Sequence, residues 1–244
     1  ETHDPYPSGN GHKAKVAPLT EGRDEGHNIP IPRPPKPLPG VLGSAAVRAA
    51  FGQTCFVWSP YLALGHLAMI AGPQSVGKTR YATYLAATLT GTLRQWPDGY
   101  ARLGGCKVML VDTEGMRAEI YGLLERLKVP EGQVIIPTIG NDPFWIPNFP
   151  KDAKVIEDLA KQHGCGAILI DSLSGGHALD ENGSEMRKVL QSYLGIVSRL
   201  KCVMILVHHI NKKREFDSVK LTLDRVRGSS TITQFCRSVT ALYR

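Results

Sequence analysis

The chain has 244 residues, which is long for a single domain, and its composition of 42% hydrophobic and 21% charged residues is that of a globular protein. This excludes wholesale disorder and collagen-like structure. No stretch approaches 18 uncharged apolar residues and no signal peptide is visible, so no membrane span or secretion is expected, while the net charge of +7 permits a polyanionic partner without requiring one.

The N-terminal arm differs from the rest of the chain. Residues 1–40 contain more than half of the 17 prolines and show no apolar periodicity. They are predicted to form a disordered arm that ends in an extended linker at residues 29–39. The alternative is a docking peptide for a proline-recognition domain. A single folded domain is predicted over 41–244, entered through a short helix at 41–51.

From about residue 66 onward, short apolar runs alternate with helix-like stretches. The predicted strands are Leu67–Ala71, Lys107–Asp112, Val134–Thr138, Ala167–Asp171, Val203–His208 and Val239–Tyr243. The predicted helices span 77–90, 116–128, 152–163 and 184–200, with a short one near 230–236. Strands that are apolar at successive positions are typical of a parallel sheet covered on both faces. The sequence therefore predicts an α/β fold whose ligands bind at the carboxyl ends of the strands.

The first of these strands is followed by a phosphate-binding motif, GxxxxGK[ST]. Its glycines allow the backbone to wrap a phosphate, and the following helix contributes its positive end. Lys78 is expected to reach the β- and γ-phosphates of ATP or GTP, and the Thr79 hydroxyl to ligate Mg²⁺. The predicted nucleotide contacts are Gly72, Pro73, Gln74, Ser75, Val76, Gly77, Lys78, Thr79 and Arg80.

Carboxylates end two further strands. Asp171 closes an apolar strand and has the form of a Mg²⁺-associated acid, although a capping role would look the same. Asp112 and Glu114 are two residues apart and would face the same way in an extended strand. Glu114 lies further out and is the better candidate to orient the attacking water. The alternative is that one of the two caps a helix starting at Met116.

The last predicted central strand runs into His208 and His209 and then a basic segment. A histidine at this strand tip is expected either to contact the γ-phosphate or to be a satisfied structural residue. Residues 199–227 carry eight Lys or Arg and three acids, which is five of the seven net charges. Lys212, Lys213 and Arg214 in this segment are candidates for contacts with nucleic-acid phosphates, or simply a solvated charge run.

Arg227 stands immediately before Gly-Ser-Ser. An arginine on a short loop can enter a neighbouring subunit's active site and neutralise charge in the transition state. The alternative is a surface arginine at a helix start, with Ser229 or Ser230 as the N-cap.

In this order, the motifs over about residues 50–244 resemble those of RecA/DnaB-type hexameric ATPases. Among these the pattern looks like the RepA-like replicative helicases of plasmids and phages, which are grouped with other RecA-like ATPases of the AAA_25 type. The resemblance rests on Gly72–Thr79, Glu114, Ile168–Asp171, the segment His208–Lys212, and Arg227-Gly-Ser-Ser. Two insertions, Gly91–Gly105 and Phe144–Phe149, depart from the pattern.

The resemblance implies a RecA-like ATPase domain that binds ATP and Mg²⁺ between the subunits of a homo-oligomer, a hexameric ring on single-stranded DNA. Glu114 would be the catalytic carboxylate, Asp171 the acid beside Mg²⁺, His209 the γ-phosphate sensor and Arg227 the arginine finger. The loops at 174–183 and 211–224 would face the DNA channel, and an upstream primase-like domain or partner is possible.

Three other functions remain open at this stage. The first is a RecA- or KaiC-like regulatory or recombination ATPase that does not unwind DNA. The second is a P-loop kinase, and the third is a nucleotide-gated scaffold with negligible hydrolysis. The five scattered cysteines, with no CxxC pair, predict free thiols in a reducing cytosol.

Overall fold

The structure is a computed structural model that describes residues 43–45, 54–102, 104–140, 142–181, 183–210, 226, 228 and 230–243. The chain divides into two compact units, Glu1–Phe51 and Gly52–Arg244, and the second carries the sheet. The predicted arm, most of the predicted 41–51 helix, Lys212–Arg214 and Arg227 lie outside the described residues. The predicted domain boundary at residue 40 stays a prediction.

A six-stranded parallel sheet forms the centre of the second unit, in the order β5-β4-β6-β7-β3-β8. Its strands are β3 (Leu67–Gly72), β4 (Lys107–Asp112), β5 (Val134–Ile135), β6 (Cys165–Asp171), β7 (Val203–His209) and β8 (Cys236–Ala241). An antiparallel hairpin precedes it, built from β1 (Phe56–Trp58) and β2 (Leu62–Ala63).

Helices connect the strands. They are α1 (Lys78–Leu89), α2 (Arg117–Arg126), α3 (Ala153–His163), α4 (Met186–Leu200) and α5 (Ser230–Phe235), and a short 3₁₀ turn spans Ser174–Gly176. None of the helices in the described part of the chain is long and apolar enough to cross a membrane. All five cysteines are free thiols.

Both faces of the sheet are buried, because alternate residues of each strand point to opposite sides. In β3, Leu67 and Met69 pack with α3, α4 and α5, whereas Ala68 and Ile70 pack with α1, α2 and the hairpin. The predicted mostly parallel α/β sheet with helices on both faces is therefore confirmed. Each side chain at the end of a strand also faces one of these two layers. This arrangement positions the site described below.

The predicted elements differ from the observed ones mainly at their ends. The last strand begins at Cys236 rather than Val239, because α5 ends at Phe235 and passes directly into it. The strand predicted at Val134–Thr138 pairs only over Val134–Ile135, next to Pro137, which has no N–H to donate to a ladder. The hairpin was not predicted, since strands of two and three residues carry no usable periodicity.

Tyr193 is the largest fully buried side chain among the described residues. Its substitution therefore tests how packing and hydrogen bonding in the core contribute to stability. Its ring packs edge-on against Phe149 with centroids 4.5 Å apart, but its hydroxyl has no hydrogen-bond partner among the described residues. Burial raises the pKa of this phenol. A buried hydroxyl without a partner destabilises the fold, because its hydrogen bonds to water are lost on folding.

We therefore expect Tyr193→Phe to leave the free energy of unfolding unchanged or to raise it by up to about 1 kcal/mol in urea denaturation. Tyr193→Ala should instead lower it by about 3–5 kcal/mol through the cavity it leaves. A clear loss in Tyr193→Phe would mean that the hydroxyl makes a stabilising hydrogen bond, for example to a buried water.

Candidate active site

The sheet register brings distant polar residues together at the carboxyl ends of the strands. Gly72 pairs with His209 between β3 and β7, and Asp112 pairs with Asp171 between β4 and β6. Successive residues of β4, β6 and β7 alternate between the two hydrophobic layers of the sheet. By this alternation, His209, Asp112 and Asp171 all lie on the α1 side. The motif residues therefore meet in one layer, beside the amino terminus of α1.

The loop from Pro73 to Gly77 has the backbone of an anion nest. Ser75 and Gly77 both have left-handed conformations, with φ of 62° and 99°. None of the N–H groups from Gln74 to Gly77 donates a hydrogen bond to another described residue. Successive unpaired N–H groups at the start of a helix are the donors that a phosphate group requires. The observed α1 start at Lys78 also agrees with the predicted strand–loop–helix context.

Gly72 is required by close packing rather than by its φ angle. A Cβ built at this position would lie 2.7 Å from the carbonyl oxygen of Leu242 and 3.0 Å from Cγ1 of Val76. The end of β8 and the loop therefore approach each other closely over this residue. Glycine at position 72 therefore allows the phosphate loop to start here while the end of β8 stays packed against it.

Lys78 is buried, and its ammonium group has three polar neighbours. Nζ donates to the carbonyl oxygens of Gly72 at 3.1 Å and Pro73 at 2.8 Å, and lies 3.3 Å from Nδ1 of His209. Burial lowers the pKa of Lys78, while the negative charges of Glu114 and Asp171 oppose that shift. The carbonyl oxygens of Gly72 and Pro73 are weak acceptors for an ammonium group. A phosphate oxygen would replace them with a stronger, charge-assisted hydrogen bond.

His209 joins Lys78 to Glu114. Its Nε2 atom lies 3.3 Å from Oε1 of Glu114, on the opposite side of the ring from Lys78. Since an ammonium group can only donate, Nδ1 accepts and Nε2 carries the proton in the neutral ring. The hydrogen bond from His209 lowers the pKa of Glu114 to about 2, although burial opposes this shift. Glu114 is therefore an ionised carboxylate held by a strand-tip histidine.

Asp171 and Thr79 form the second polar pair of the site. Burial raises the pKa of Asp171 to about 6, and a hydrogen bond with Thr79 opposes the shift. Asp171 is only 3% exposed. Among the described residues no three His, Cys, Asp or Glu side chains converge on a metal site. A hydroxyl and one carboxylate suit Mg²⁺, which takes its remaining ligands from phosphate and water.

Asp112 lies in a different place from the one its spacing suggested. It is the last residue of β4, and its Oδ1 accepts a hydrogen bond from the backbone N–H of Glu114 at 3.1 Å. The two carboxylates are therefore not side by side on one extended strand, because the chain turns after Asp112. Oδ2 of Asp112 forms an ion pair with Arg117, 3.7 Å from its Nε atom, and Nη2 of the same arginine donates to the carbonyl oxygen of Trp145 at 2.9 Å.

This arrangement turns Asp112 into a support for Glu114. The alternative role, capping of the next helix by a carboxylate, does not occur, since α2 follows Met116 with no side-chain cap hydrogen bond. Arg117 also connects this turn to one of the insertions, Phe144–Phe149, because it donates a hydrogen bond to the backbone of Trp145. Sequence spacing could not reveal this link, because the contact joins residues 28 positions apart.

The remaining predicted residues are partly described. Pro73, Gln74 and Ser75 are exposed around the loop, Val76 is half-buried, and Arg80 is exposed on the first turn of α1. His208 is fully buried on the other face of the sheet from His209, with Nδ1 3.5 Å from the Ser174 hydroxyl. Arg227, Lys212, Lys213 and Arg214 lie outside the described residues, so their roles stay predictions.

One exposed aromatic residue near the loop was not predicted as a site residue. Tyr243 follows the end of β8 and is 68% exposed. The preceding residue, Leu242, donates its N–H to the carbonyl of Ala71 at 2.8 Å, directly before the phosphate loop. β8 lies on the side of β3 away from Glu114 and Asp171. Only the strand order, which the sequence does not state, puts this ring near the site.

The fold and this site define a RecA-like P-loop ATPase: a parallel sheet with a phosphate loop after β3 and carboxylates at the ends of neighbouring strands. Residues 33–215, three quarters of the chain, match the AAA_25 family, described as an AAA domain, and the chain belongs to that family. The predicted resemblance to RecA-like ATPases of this type is confirmed. ATPases of this kind bind ATP and Mg²⁺.

No curated protein matches the sequence. Among solved structures, the crystal structure of the RadB recombinase is similar, with a TM-score of 0.44 and 21% sequence identity, covering 74% of this chain and 75% of that one. A likeness at this level carries no inference about substrate or activity.

The buried carboxylate of Asp171 makes the stability of the nucleotide-free protein depend on pH. Its pKa is raised from 3.8 to about 6, so the folded chain keeps a proton that the unfolded chain has lost. Stability should therefore fall as the pH rises from about 4 to about 6, and stay lower above that range. Glu114 contributes in the opposite sense: its stabilisation is present above pH 4.5 and lost toward about 2.

We expect Asp171→Asn to remove this fall and to raise the free energy of unfolding by about 2 kcal/mol at pH 8. Urea denaturation at pH 4.5 and pH 8, in EDTA and without nucleotide, measures both changes. Glu114→Gln is the control: it removes a nearby negative charge that adds to the shift of Asp171, so the fall between pH 4 and 6 should become smaller but persist, because burial is the largest cause. A loss of stability in Asp171→Asn at pH 8 would contradict the dominance of burial at this carboxylate.

Proposed function

We propose that the protein is an ATP-hydrolysing motor that assembles as a homo-oligomeric ring of six subunits on single-stranded DNA. It would act as the replicative helicase module of a plasmid, phage or other mobile element. The observation that supports ATP hydrolysis best is the contact series from Lys78 through His209 to Glu114, beside a loop of unpaired N–H groups. It joins a phosphate-binding residue to a carboxylate through one strand-tip ring.

The proposed nucleotide site follows from these contacts. The loop N–H groups and Lys78 would bind the β- and γ-phosphates, and Thr79 with Asp171 would hold Mg²⁺, which supplies charge neutralisation at the phosphates. Because Glu114, Asp171 and His209 lie on one side of β3, the nucleoside would extend toward β8 on the other side. There the exposed ring of Tyr243 offers a face for the base.

The proposed catalytic sequence uses only side chains of this site. Lys78 and His209 would turn from each other to phosphate oxygens, which are stronger acceptors than a backbone carbonyl or a ring nitrogen. Glu114, released from His209, would then be free to orient and polarise a water in line with the γ-phosphate. In this scheme His209 reports the γ-phosphate and also controls the availability of the carboxylate.

The subunit interface of the proposal rests on Arg227. The neighbouring Val226 is buried and pairs with Ile210 at the end of β7, and Gly228, with a φ of 87°, is packed against Glu181 and Ile232. The proposal assigns Arg227, which stands between these two residues in the sequence, to the interface with an adjacent subunit. The proposal gives it the role of neutralising charge on the transferred phosphoryl group of that subunit.

Mixed oligomers test this arrangement. We expect Arg227→Ala to lower ATP turnover about a thousandfold with nearly normal nucleotide affinity, and Glu114→Gln to lower turnover by a similar factor. An equimolar mixture should regain roughly a quarter of wild-type turnover, because some sites combine an intact Glu114 with an intact Arg227 from the neighbour. Steady-state ATPase assays and nucleotide titration measure these effects.

The mixture separates the possible outcomes. If it stays inactive while the subunits still associate, Arg227 does not act on a neighbour and the interface role is wrong. If Arg227→Ala loses affinity and turnover together, the residue acts in its own subunit or in folding. Unchanged turnover in Glu114→Gln would favour the scaffold function over an enzyme.

The DNA role rests on the basic segment. We expect replacement of Lys212, Lys213 and Arg214 by glutamine to weaken single-stranded DNA binding and to reduce the salt slope, d log K/d log[salt], by about 2. ATP binding should be unaffected, since this change removes no residue of the phosphate loop. Fluorescence anisotropy of a labelled oligonucleotide at several salt concentrations measures the slope.

Lys128, Lys154 and Lys161 provide a matched control, because their replacement by glutamine removes the same charge elsewhere on the surface. An equal loss in this control would mean that only net charge matters. Hydrolysis that single-stranded DNA does not stimulate would contradict the motor. DNA-stimulated hydrolysis without separation of a forked duplex would favour the recombination or regulatory ATPase.

A further inference from the structure

A groove lined by aromatic residues lies outside the candidate nucleotide site and shares no residue with it. It is formed between the turn that joins β1 to β2 and the insertion between α1 and β4, and its volume is about 550 Å³. The hairpin is fixed to the amino edge of the sheet, since the N–H of Gly65 donates to the carbonyl of Cys202 just before β7. The phosphate loop occupies the opposite, carboxyl edge. The residues that line the groove include Trp58, Pro60, Tyr61, Trp96, Asp98 and Tyr100.

The floor of the groove is a rigid aromatic stack. The rings of Trp58 and Trp96 are parallel within 2°, with centroids 4.9 Å apart. The guanidinium of Arg102 lies 5.5 Å from the centroid of Trp96, and the ring of Tyr61 is 4.5 Å from that of Trp58. This stack joins the hairpin to the insertion and gives the insertion a structural role.

The rim of the groove is exposed and aromatic. Tyr61 is 39% exposed on one side, and Tyr100 is 72% exposed on the other. Aromatic rings gathered at the edge of a buried stack form an apolar surface that folding alone does not require, and such surfaces mark binding sites. Tyrosine and tryptophan are also the residues that dominate binding energy at interfaces.

A single carboxylate is fixed at this rim. Asp98 accepts hydrogen bonds from Nε1 of Trp58 at 2.7 Å and from the backbone N–H of Tyr100 at 3.2 Å. In the part of the chain that the structure describes, Asp98 is in no ion pair. The groove thus presents aromatic faces and one held negative charge.

This chemistry suits a basic proline-rich ligand. Proline-rich segments in the polyproline II conformation dock into grooves lined by aromatic residues, because they are already extended and lose little entropy on binding. A cation within such a segment would pair with Asp98 through a charge-assisted hydrogen bond. The chemistry of the groove therefore specifies prolines with at least one Lys or Arg among them.

The sequence contains one segment of this composition. Residues 29–39, Ile-Pro-Ile-Pro-Arg-Pro-Pro-Lys-Pro-Leu-Pro, hold six prolines, two cations and no acid. They lie outside the described residues, and 14 residues, 40–53, separate them from the start of the described unit at Thr54. At about 3.3 Å per residue this connection spans at most about 50 Å, long enough to reach another molecule.

We propose that the aromatic groove binds residues 29–39 of a second copy of this chain. The segment would contribute a contact between subunits that uses no residue of the nucleotide site, since none of those residues lines the groove. The proposal therefore does not depend on the proposed motor activity. It gives one purpose to two parts of the sequence that the ATPase site leaves unexplained, the proline-rich arm and the insertion with Trp96.

Two variants of the full chain test the proposal. The arm variant replaces Arg33 and Lys36 by glutamate, and the groove variant combines Asp98→Asn with Tyr100→Ala. Both groove positions are exposed, and Asp98→Asn removes the charge while keeping an amide oxygen that can accept the N–H of Trp58. Sedimentation velocity over a range of concentrations, without nucleotide, measures self-association. We expect each variant alone to associate at least about tenfold more weakly than wild type, the loss expected for a broken charge-assisted contact.

Mixing the two variants supplies the decisive result. The groove variant still has an intact arm, and the arm variant still has an intact groove, so their mixture should form heterodimers that neither forms alone. A synthetic peptide of residues 29–39 should also bind the arm variant saturably, followed by tryptophan fluorescence, and bind the groove variant at least about tenfold more weakly. Phe144→Ala, another exposed aromatic, is the matched control and should associate like wild type.

Several results would overturn the proposal. These are wild-type association of both variants, failure of the peptide to bind the arm variant, and equal effects of Phe144→Ala and the groove variant. A mixture that does not form heterodimers would mean that any arm–groove contact stays within one chain, which also contradicts the proposal. Turnover and nucleotide affinity measured in the same samples separate this result from a failure of the ATPase function.

Discussion

The register of the parallel sheet is the constraint on which the rest of the structure depends. Backbone hydrogen bonds between β3 and β7 fix Gly72 opposite His209, and those between β4 and β6 fix Asp112 opposite Asp171. A shift by one residue along any of these strands would turn its polar terminus to the other face. Two buried hydrophobic layers hold the register, so the core of the protein is also the positioning device for its site.

Two carboxylates within this site have opposite electrostatic surroundings. Glu114 is ionised with the help of His209, whereas burial makes the charged form of Asp171 unfavourable in the absence of a cation. A divalent cation beside Thr79 would offset the burial of that charge. The nucleotide-free fold thus keeps a destabilising group at the position where a cation would bind, which is the usual relation between stability and function at such sites.

The sequence allowed much of this arrangement to be predicted, because local signals specified it. The apolar runs identified the central strands, and the motif ending in Lys78 identified the phosphate loop and the helix after it. Contacts between distant positions could not be predicted: Lys78 and His209 are 131 residues apart. The turn after Asp112, the exposure of Tyr243 and the stack of Trp58 on Trp96 depend likewise on strand order and packing, which periodicity does not encode.

The two adjacent histidines at the end of β7 have a further mechanical consequence. His209 contacts the residues around the phosphate loop, while the ring of His208 projects into the opposite layer, beside Ser174 of the turn that follows β6. The end of β7 therefore contacts different residues on each face of the sheet. Any displacement of its tip on one face alters side-chain contacts on the other, so a short backbone movement here would be felt on both sides of the sheet.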